Sequence, residues 1–379
     1  MVQAAYLHIP FCHHICHYCD FNKVFFENQP VFPYLEKMRE EMKNTVQAYP
    51  TNGLQTIFVG GGTPTALDEQ QLDYFLQSIH MHLPLEENGE FTFEANPNEL
   101  TEQKLKILKE YGVNRLSIGV QTFNDDLLKN IGRVHTKNQA FKAIDSARKV
   151  GFDNISVDLM YSLPHQTVED FRETLETAFS LDVEHMSAYS LIIEPKTVFY
   201  NLMKKGKLHV PTHEAEATMY DVLMSEMSKH GFNQYEISNF AKAGYESKHN
   251  LTYWDNSQYY GIGAGAHSYV NGVRRANSGP LKKYMSMIEE TGFPYLEENK
   301  VSKEEMMEEE IFLGLRKTEG VSKEIFKEKY GVDLSVVFAK PIQQYKEKKL
   351  LEETDSSLYL TREGRFLGNE VFQAFIGGI

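Results

Sequence analysis

Cysteine, tryptophan and positive charge are all scarce in this sequence. Of 379 residues only three are Cys and one is Trp, and 39 Lys and Arg stand against 53 Asp and Glu, a formal charge of −14. The three cysteines all fall between positions 12 and 19, too few and too crowded for a disulfide-stapled scaffold or a four-cysteine metal site. The acidic balance argues against a general binder of nucleic acid or anionic membrane, both of which need basic surface. No run of about 18 apolar residues is present, and the first dozen residues, MVQAAYLHIPFC, lack the layout of a signal peptide. A cytoplasmic protein without a transmembrane segment is therefore expected. With 41% hydrophobic and 24% charged residues the chain has globular composition, long enough for one large α/β domain and a smaller appendage.

The cysteines read Cys12-His-His-Ile-Cys16-His-Tyr-Cys19, a CxxxCxxC spacing with no fourth cysteine elsewhere. Structural zinc would need a histidine such as His8, His13, His14 or His17 to complete its tetrahedron. Three thiolates on an iron–sulfur cluster instead leave one iron open to a small molecule, and an open position on a redox cluster implies chemistry.

Apolar, β-branched runs alternate with amphipathic stretches along the first half of the chain. Strands are predicted at Ala5–Ile9, Thr56–Gly60, Phe91–Ala95, Arg115–Gln121, Ile155–Tyr161 and Met186–Ile193. Helices are predicted at Pro33–Val46, Glu69–Met81, Glu102–Tyr111, Thr136–Val150 and Val168–Leu181. Such β–α units in series imply a parallel sheet with right-handed crossovers, closing into an incomplete barrel whose ligands sit at the C-terminal strand ends. Gly60-Gly61-Gly62-Thr63-Pro64, Glu94-Ala95-Asn96-Pro97, Gly119-Val120-Gln121 and Asp158 with Tyr161-Ser-Leu-Pro164 all fall at or near those ends, beside the cysteine loop. The glycine-rich turn meets neither GxGxxG nor GxxxxGKT, so the nucleotide-fold motifs are absent.

CxxxCxxC after a short apolar strand resembles the radical S-adenosylmethionine (SAM) superfamily, in which the cofactor's amine and carboxylate chelate the open iron of a [4Fe–4S] cluster. YLHIPFCHHICHYCDF, IFVGGGTPT, FEANP, NRLSIGVQTF, GRVH, DLMYSLPHQT, YEISNFA and ESKHNLTYW together resemble the oxygen-independent coproporphyrinogen oxidase group, across essentially the whole chain. That group has an oxidase branch, HemN, and a haem-chaperone branch, HemW. The oxidase carries a further cysteine where Phe21 stands here, and an N-terminal extension where only eleven residues precede Cys12. His249-Asn-Leu-Thr-Tyr253-Trp254 matches the HNxxYW motif of the chaperone branch. The resemblance thus favours a haem chaperone that passes haem to an acceptor protein and draws on an electron donor for its cluster. Oxidative decarboxylation of coproporphyrinogen III is the alternative, so enzyme status stays open.

Matching motifs residue by residue, the resemblance implies cluster ligands Cys12, Cys16 and Cys19. It implies cofactor contacts at Tyr6, Tyr18, Gly61, Gly62, Thr63, Glu94, Gln121, Arg133 and Asp158, and a haem motif at His249, Tyr253 and Trp254. Taken without the resemblance, a His and two aromatics at these spacings suit a strand packed on a core. Gly261-Ile-Gly263-Ala-Gly265-Ala-His267-Ser268 is read as close backbone packing at the barrel's open side.

Three segments are expected: a (β/α)6 barrel over 1–230, a barrel extension carrying HNxxYW over 231–299, and a winged-helix-like domain over 300–379. The last contains helices Lys303–Leu315, Lys323–Tyr330 and Leu334–Lys348, a strand pair around Leu351–Thr361 and a final helix Glu363–Phe375. Its acids and bases nearly balance, so the footprint of a DNA-binding winged helix is missing.

Overall fold

The computed structural model describes residues 1–377. Strand and helix alternate as β1 (Ala4–Ile9), α1 (Val31–Ala48), β2 (Leu54–Gly61), α2 (Glu69–His82), β3 (Leu85–Ala95), α3 (Glu102–Glu110), β4 (Arg115–Gln121), α4 (Lys137–Val150), β5 (Ile155–Tyr161), α5 (Val168–Phe179) and β6 (His185–Ser190). The six strands run parallel in the order β1 to β6. The helices start where side chains satisfy their first amides: Asp68 with Gln71, Thr136 with Gln139 and Thr167 with Asp170 form reciprocal capping boxes.

Alternation along the strands decides what each face meets. Ile57, Val59, Phe93, Leu116, Ile118, Val157 and Leu159 are buried in the main core with Leu72, Phe75, Leu105, Leu108, Ile144, Phe171 and Leu175 of the helices. The intervening positions are polar and equally buried: Thr56, Thr92, Ser117, Ser156 and His185. Barrels of this kind are usually filled by branched apolar side chains. Here the interior carries hydroxyl and imidazole groups as well.

Additional strands extend both edges of the sheet. Beyond β6 come α6 (His213–Lys229) and the antiparallel pair β7 (Asn233–Glu236) and β8 (Asn239–Ala241). The chain then crosses through α7 (Lys248–Trp254) to β9 (Tyr259–Ile262), which lies parallel to β1 on its free side. Strands β10 (His267–Val270) and β11 (Val273–Asn277), helix α8 (Leu281–Thr291) and strand β12 (Tyr295–Lys300) complete a 12-stranded sheet. The HNxxYW residues are therefore helical. Glu90 lies at the N-terminus of α7 and accepts from the amides of Lys248 and His249 at 3.0 and 3.1 Å, an anion where the helix dipole favours one.

A second apolar cluster, with Ile311, Leu315, Phe326, Phe338, Ile342, Leu358, Val371 and Phe375, lies in the C-terminal segment around a three-stranded sheet of Val321–Ser322, Ser357–Leu360 and Leu351–Glu353. Two expected helices are broken. Leu334–Lys348 divides into Leu334–Val337 and Ala339–Glu347, because Pro341 has no amide to give the carbonyl of Val337. The final helix divides at Leu367 into Arg362–Phe366 and Gly368–Gln373. Gly368, a weak helix former, packs there so closely that a side chain would meet Ile237 and Phe372. Trp254 ties this segment to the sheet: the Arg316 guanidinium lies 4.4 Å from its ring centroid. Among the described residues no helix is long and apolar enough to cross a membrane.

Candidate functional site

The loop after β1 carries Cys12, Cys16 and Cys19 onto the wall of one cavity of about 560 Å3. Tyr18, Gly61, Gly62, Thr63, Glu94, Gln121, Arg133 and Asp158 line the same cavity, so eight residues expected from dispersed motifs meet the cysteines in space. Burial pushes the Cys12 thiol up to about 11, and the neighbouring Cys19 and Cys16 push the same way. Cys19 is raised as well, again chiefly by burial. Thiols so placed stay protonated at neutral pH until a metal displaces the proton. Among the described residues no three His, Cys, Asp or Glu side chains converge on a single metal ion.

The turn after β2 is shaped by contact with this loop. A side chain on Gly62 would come within 2.8 Å of the Pro10 backbone and 2.9 Å of Cys12 Sγ, and one on Gly61, at φ +118°, would strike the His8 ring at 2.7 Å. Only glycine leaves that room. The amides of the turn are committed: Gly61 donates to Glu94 Oε2 at 3.2 Å, Gly62 to the Ile9 carbonyl at 2.8 Å and Thr63 to the Phe11 carbonyl at 2.9 Å. What remains to offer a ligand is carbonyl oxygen, an acceptor for an ammonium group and unsuited to phosphate.

Behind the cysteine loop, His8 Nε2 faces the Asn22 carbonyl at 2.7 Å and must donate to it, so Nδ1 accepts from the Tyr6 hydroxyl at 2.9 Å. Burial lowers the His8 pKa and raises that of Tyr6. Tyr6 thus supports the loop from behind and stacks on Phe58, which lines the cavity.

Two carboxylates and two guanidiniums set the electrostatics. Burial raises Glu94 to about 8, with Asp158 adding to the shift, so it holds a proton at neutral pH. Burial also raises Asp158, whose oxygens accept from Ser117 Oγ at 3.0 and 3.1 Å. Arg133 donates to Asn96 Oδ1 at 2.6 Å. A side chain on Gly119 would meet Arg133 Nη2 at 2.9 Å, so that glycine makes room for the guanidinium. Gln121 sits at φ +69°, a left-handed turn at the end of β4.

His249, Tyr253 and Trp254 do not line the cavity; their neighbour Asn250 does. His249 is 1% exposed. Its Nδ1 lies 2.8 Å from Thr56 Oγ1 and its Nε2 2.8 Å from the Tyr253 hydroxyl, and its ring stacks on Phe58. Burial, with the nearby charge of Arg115, lowers its pKa to about 3, so it is neutral. Sequence reasoning missed Phe58, Arg115, Ser117, Ser187 and Tyr189 as cavity residues, while Asn96 of the expected strand-end segment does line it. Ser117 and Arg115 stand at alternate positions from Gln121 on β4, and that period-two spacing was the available signal.

A parallel barrel with three cysteines on the wall of its chamber defines a radical SAM protein. The Radical SAM superfamily model matches residues 6–178, and the HemN C-terminal domain model matches residues 301–367. The chain is 57% identical over 377 residues to the heme chaperone HemW of Bacillus subtilis, covering 99% of this chain and 100% of that one. It is 44% identical over 374 residues to the heme chaperone HemW of Lactococcus lactis, covering 99% and 97%. The solved structure of Escherichia coli coproporphyrinogen III oxidase (HemN) superposes with a TM-score of 0.88 at 21% identity, covering 100% of this chain and 91% of that one, which establishes the fold. The chain belongs to the HemW heme chaperone family of the radical SAM superfamily. Membership of that superfamily implies a [4Fe–4S] cluster and SAM.

Proposed function

We propose that this chain binds haem in the cytoplasm and delivers it to an acceptor protein, with Cys12, Cys16 and Cys19 holding a [4Fe–4S] cluster whose fourth iron is left for SAM. Full-length identity of 57% to a protein named a heme chaperone carries the reading. The donor set fits: three thiols share one wall, the glycine turn beside them offers carbonyls to an ammonium, and Arg133 has a buried Nε with no partner, ready for an anion. Glu94 would accept from ribose hydroxyls, with Tyr18, Gln121 and Asp158 closing the cavity around the cofactor. When bound, the cluster supplies one-electron chemistry to SAM. Haem would meet the motif of His249, Tyr253 and Trp254.

Anaerobically reconstituted protein, given SAM and a reductant, is incubated with haem and separately with coproporphyrinogen III. Retention of haem, its transfer to an apo-haem protein and the absence of protoporphyrinogen are expected; protoporphyrinogen formation would overturn the reading in favour of the oxidase. Colourless protein after reconstitution with iron and sulfide would remove the cluster.

A further inference from the structure

Arg115 opens β4 and is among the largest fully buried side chains, 2% exposed. Its Nε has no hydrogen-bond partner, and among the described residues no carboxylate lies within ion-pair distance of its guanidinium. A buried guanidinium without partners is costly, since removing an ion from water is repaid only by close, well-aligned acceptors. The groups around it cannot serve. His249 is hydrogen-bonded at both nitrogens, and His185 likewise spans Ser156 Oγ and the Tyr235 hydroxyl, each at 2.8 Å. Asp158 is held by Ser117, and Glu94 is turned toward the Gly61 amide. Arg115 nonetheless lines the chamber, so its remaining donors face the space a ligand would fill.

Charge is divided along the chamber. Arg133 lies at the cysteine end, beside Tyr18, Cys16 and Cys19. Arg115 lies at the other end, where its charge reaches His185, His249 and Tyr235. Glu94 and Asp158 feel both arginines and so lie between them. With Glu94 protonated, two fixed positive charges oppose at most one negative charge.

We infer that Arg115 is the recognition point for a carboxylate of a bound molecule at the end of the chamber remote from the cysteines, its planar fork matching the two carboxylate oxygens. The inference rests on the reading of this chain as a haem carrier with SAM at the cysteine end, where the methionyl carboxylate meets the open iron, so the carboxylate left for Arg115 is a propionate of haem.

The test uses the cluster-loaded full chain with haem against haem dimethyl ester, whose propionates are blocked. Haem is expected to bind roughly 10- to 100-fold more tightly than its dimethyl ester. That preference is expected to vanish in Arg115→Gln and to shrink in Arg115→Lys, which keeps the charge, loses the fork and is the more conservative change for folding. Equal binding of haem and its dimethyl ester by the wild-type chain, or a preference undiminished in both variants, overturns the inference while leaving the parent reading intact. A wild-type chain that does not bind haem removes the parent reading, and this inference with it.

Discussion

The Tyr253 hydroxyl lies 2.8 Å from His249 Nε2 and occupies the last free nitrogen of that ring. With Nδ1 engaged by Thr56, iron can reach His249 only by displacing one of two hydroxyls. Tyr253→Phe removes the competitor while keeping the ring, so haem affinity is expected to rise roughly 3- to 10-fold, the worth of one ordinary hydrogen bond. His249→Ala is expected to change the axial-ligand spectrum of the haem-loaded protein. Haem titrations of the three proteins, with unfolding midpoints alongside, separate ligation from packing; unchanged spectra and affinities would take His249 out of the haem site.

Asn22, three residues past Cys19, holds the end of the cysteine loop. Its Nδ2 donates to the carbonyls of Ala264 at 2.8 Å and Gly279 at 3.1 Å, and its own carbonyl receives His8. A side chain on Gly265 would strike Asn22 Nδ2 at 2.7 Å, so the glycine-rich stretch serves to seat this clamp. Asn22→Ala loses both donors and is expected to cost about 1–3 kcal/mol. The reconstituted cluster should also bleach faster in air than in the wild type. An unchanged bleaching rate with a lowered stability would confine Asn22 to folding.

Features written locally were legible in the sequence, and those depending on distant pairing were not. β4 and β5 have the expected bounds because Arg115–Gln121 and Ile155–Tyr161 are continuous buried strands closed by turns. The cavity walls were legible because parallel strands present their C-terminal ends together, so GGGTP, Glu94, Gln121 and the cysteine loop had to meet. Arg115 escaped the same rule because it enters the chamber from the opposite end of its strand. The placement of β9 beside β1 depends on a pairing some 250 residues apart in sequence, which no local pattern encodes. The aromatic spacing of HNxxYW fits helix or strand, and the Ser247 cap with the Glu90 carboxylate, supplied by another strand, settles it as helix.

Glu94 links cofactor binding to pH. In the free chain burial holds it at about 8, so it is protonated at pH 7. A ribose that donates hydrogen bonds needs the ionised carboxylate, and a ligand of net positive charge favours that form as well. Binding therefore releases a proton, and SAM affinity is expected to rise toward pH 8 by up to roughly tenfold per unit, then level off. Glu94→Gln should flatten the profile. Isothermal titrations at several pH values in buffers of different ionisation enthalpy count the proton directly, and an affinity indifferent to pH in the wild type would separate Glu94 from the cofactor.

Glu41 makes the stability of the free chain depend on pH in an unusual direction. It is completely buried, accepting from the Gly263 amide at 2.8 Å, Asn277 Nδ2 at 2.7 Å and the Tyr284 hydroxyl at 2.5 Å, and it joins α1 to the glycine-rich stretch, β11 and α8. Burial outweighs those donors and lifts its pKa from the ordinary 4.5 to about 7. Below 4.5 the carboxyl is protonated in both folded and unfolded chains, and the fold keeps its full stability. Between 4.5 and about 7 the unfolded chain releases the proton while the folded chain keeps it, so stability falls as pH rises. Above about 7 both are ionised and the loss levels off, at the order of 3 kcal/mol. Glu41→Gln cannot titrate, so the stability difference between wild type and variant is expected to shrink in the wild type's disfavour across that window. Denaturant unfolding of both proteins at matched pH values measures it; parallel curves would mean that Glu41 is ionised in the fold and that its three donors outweigh burial.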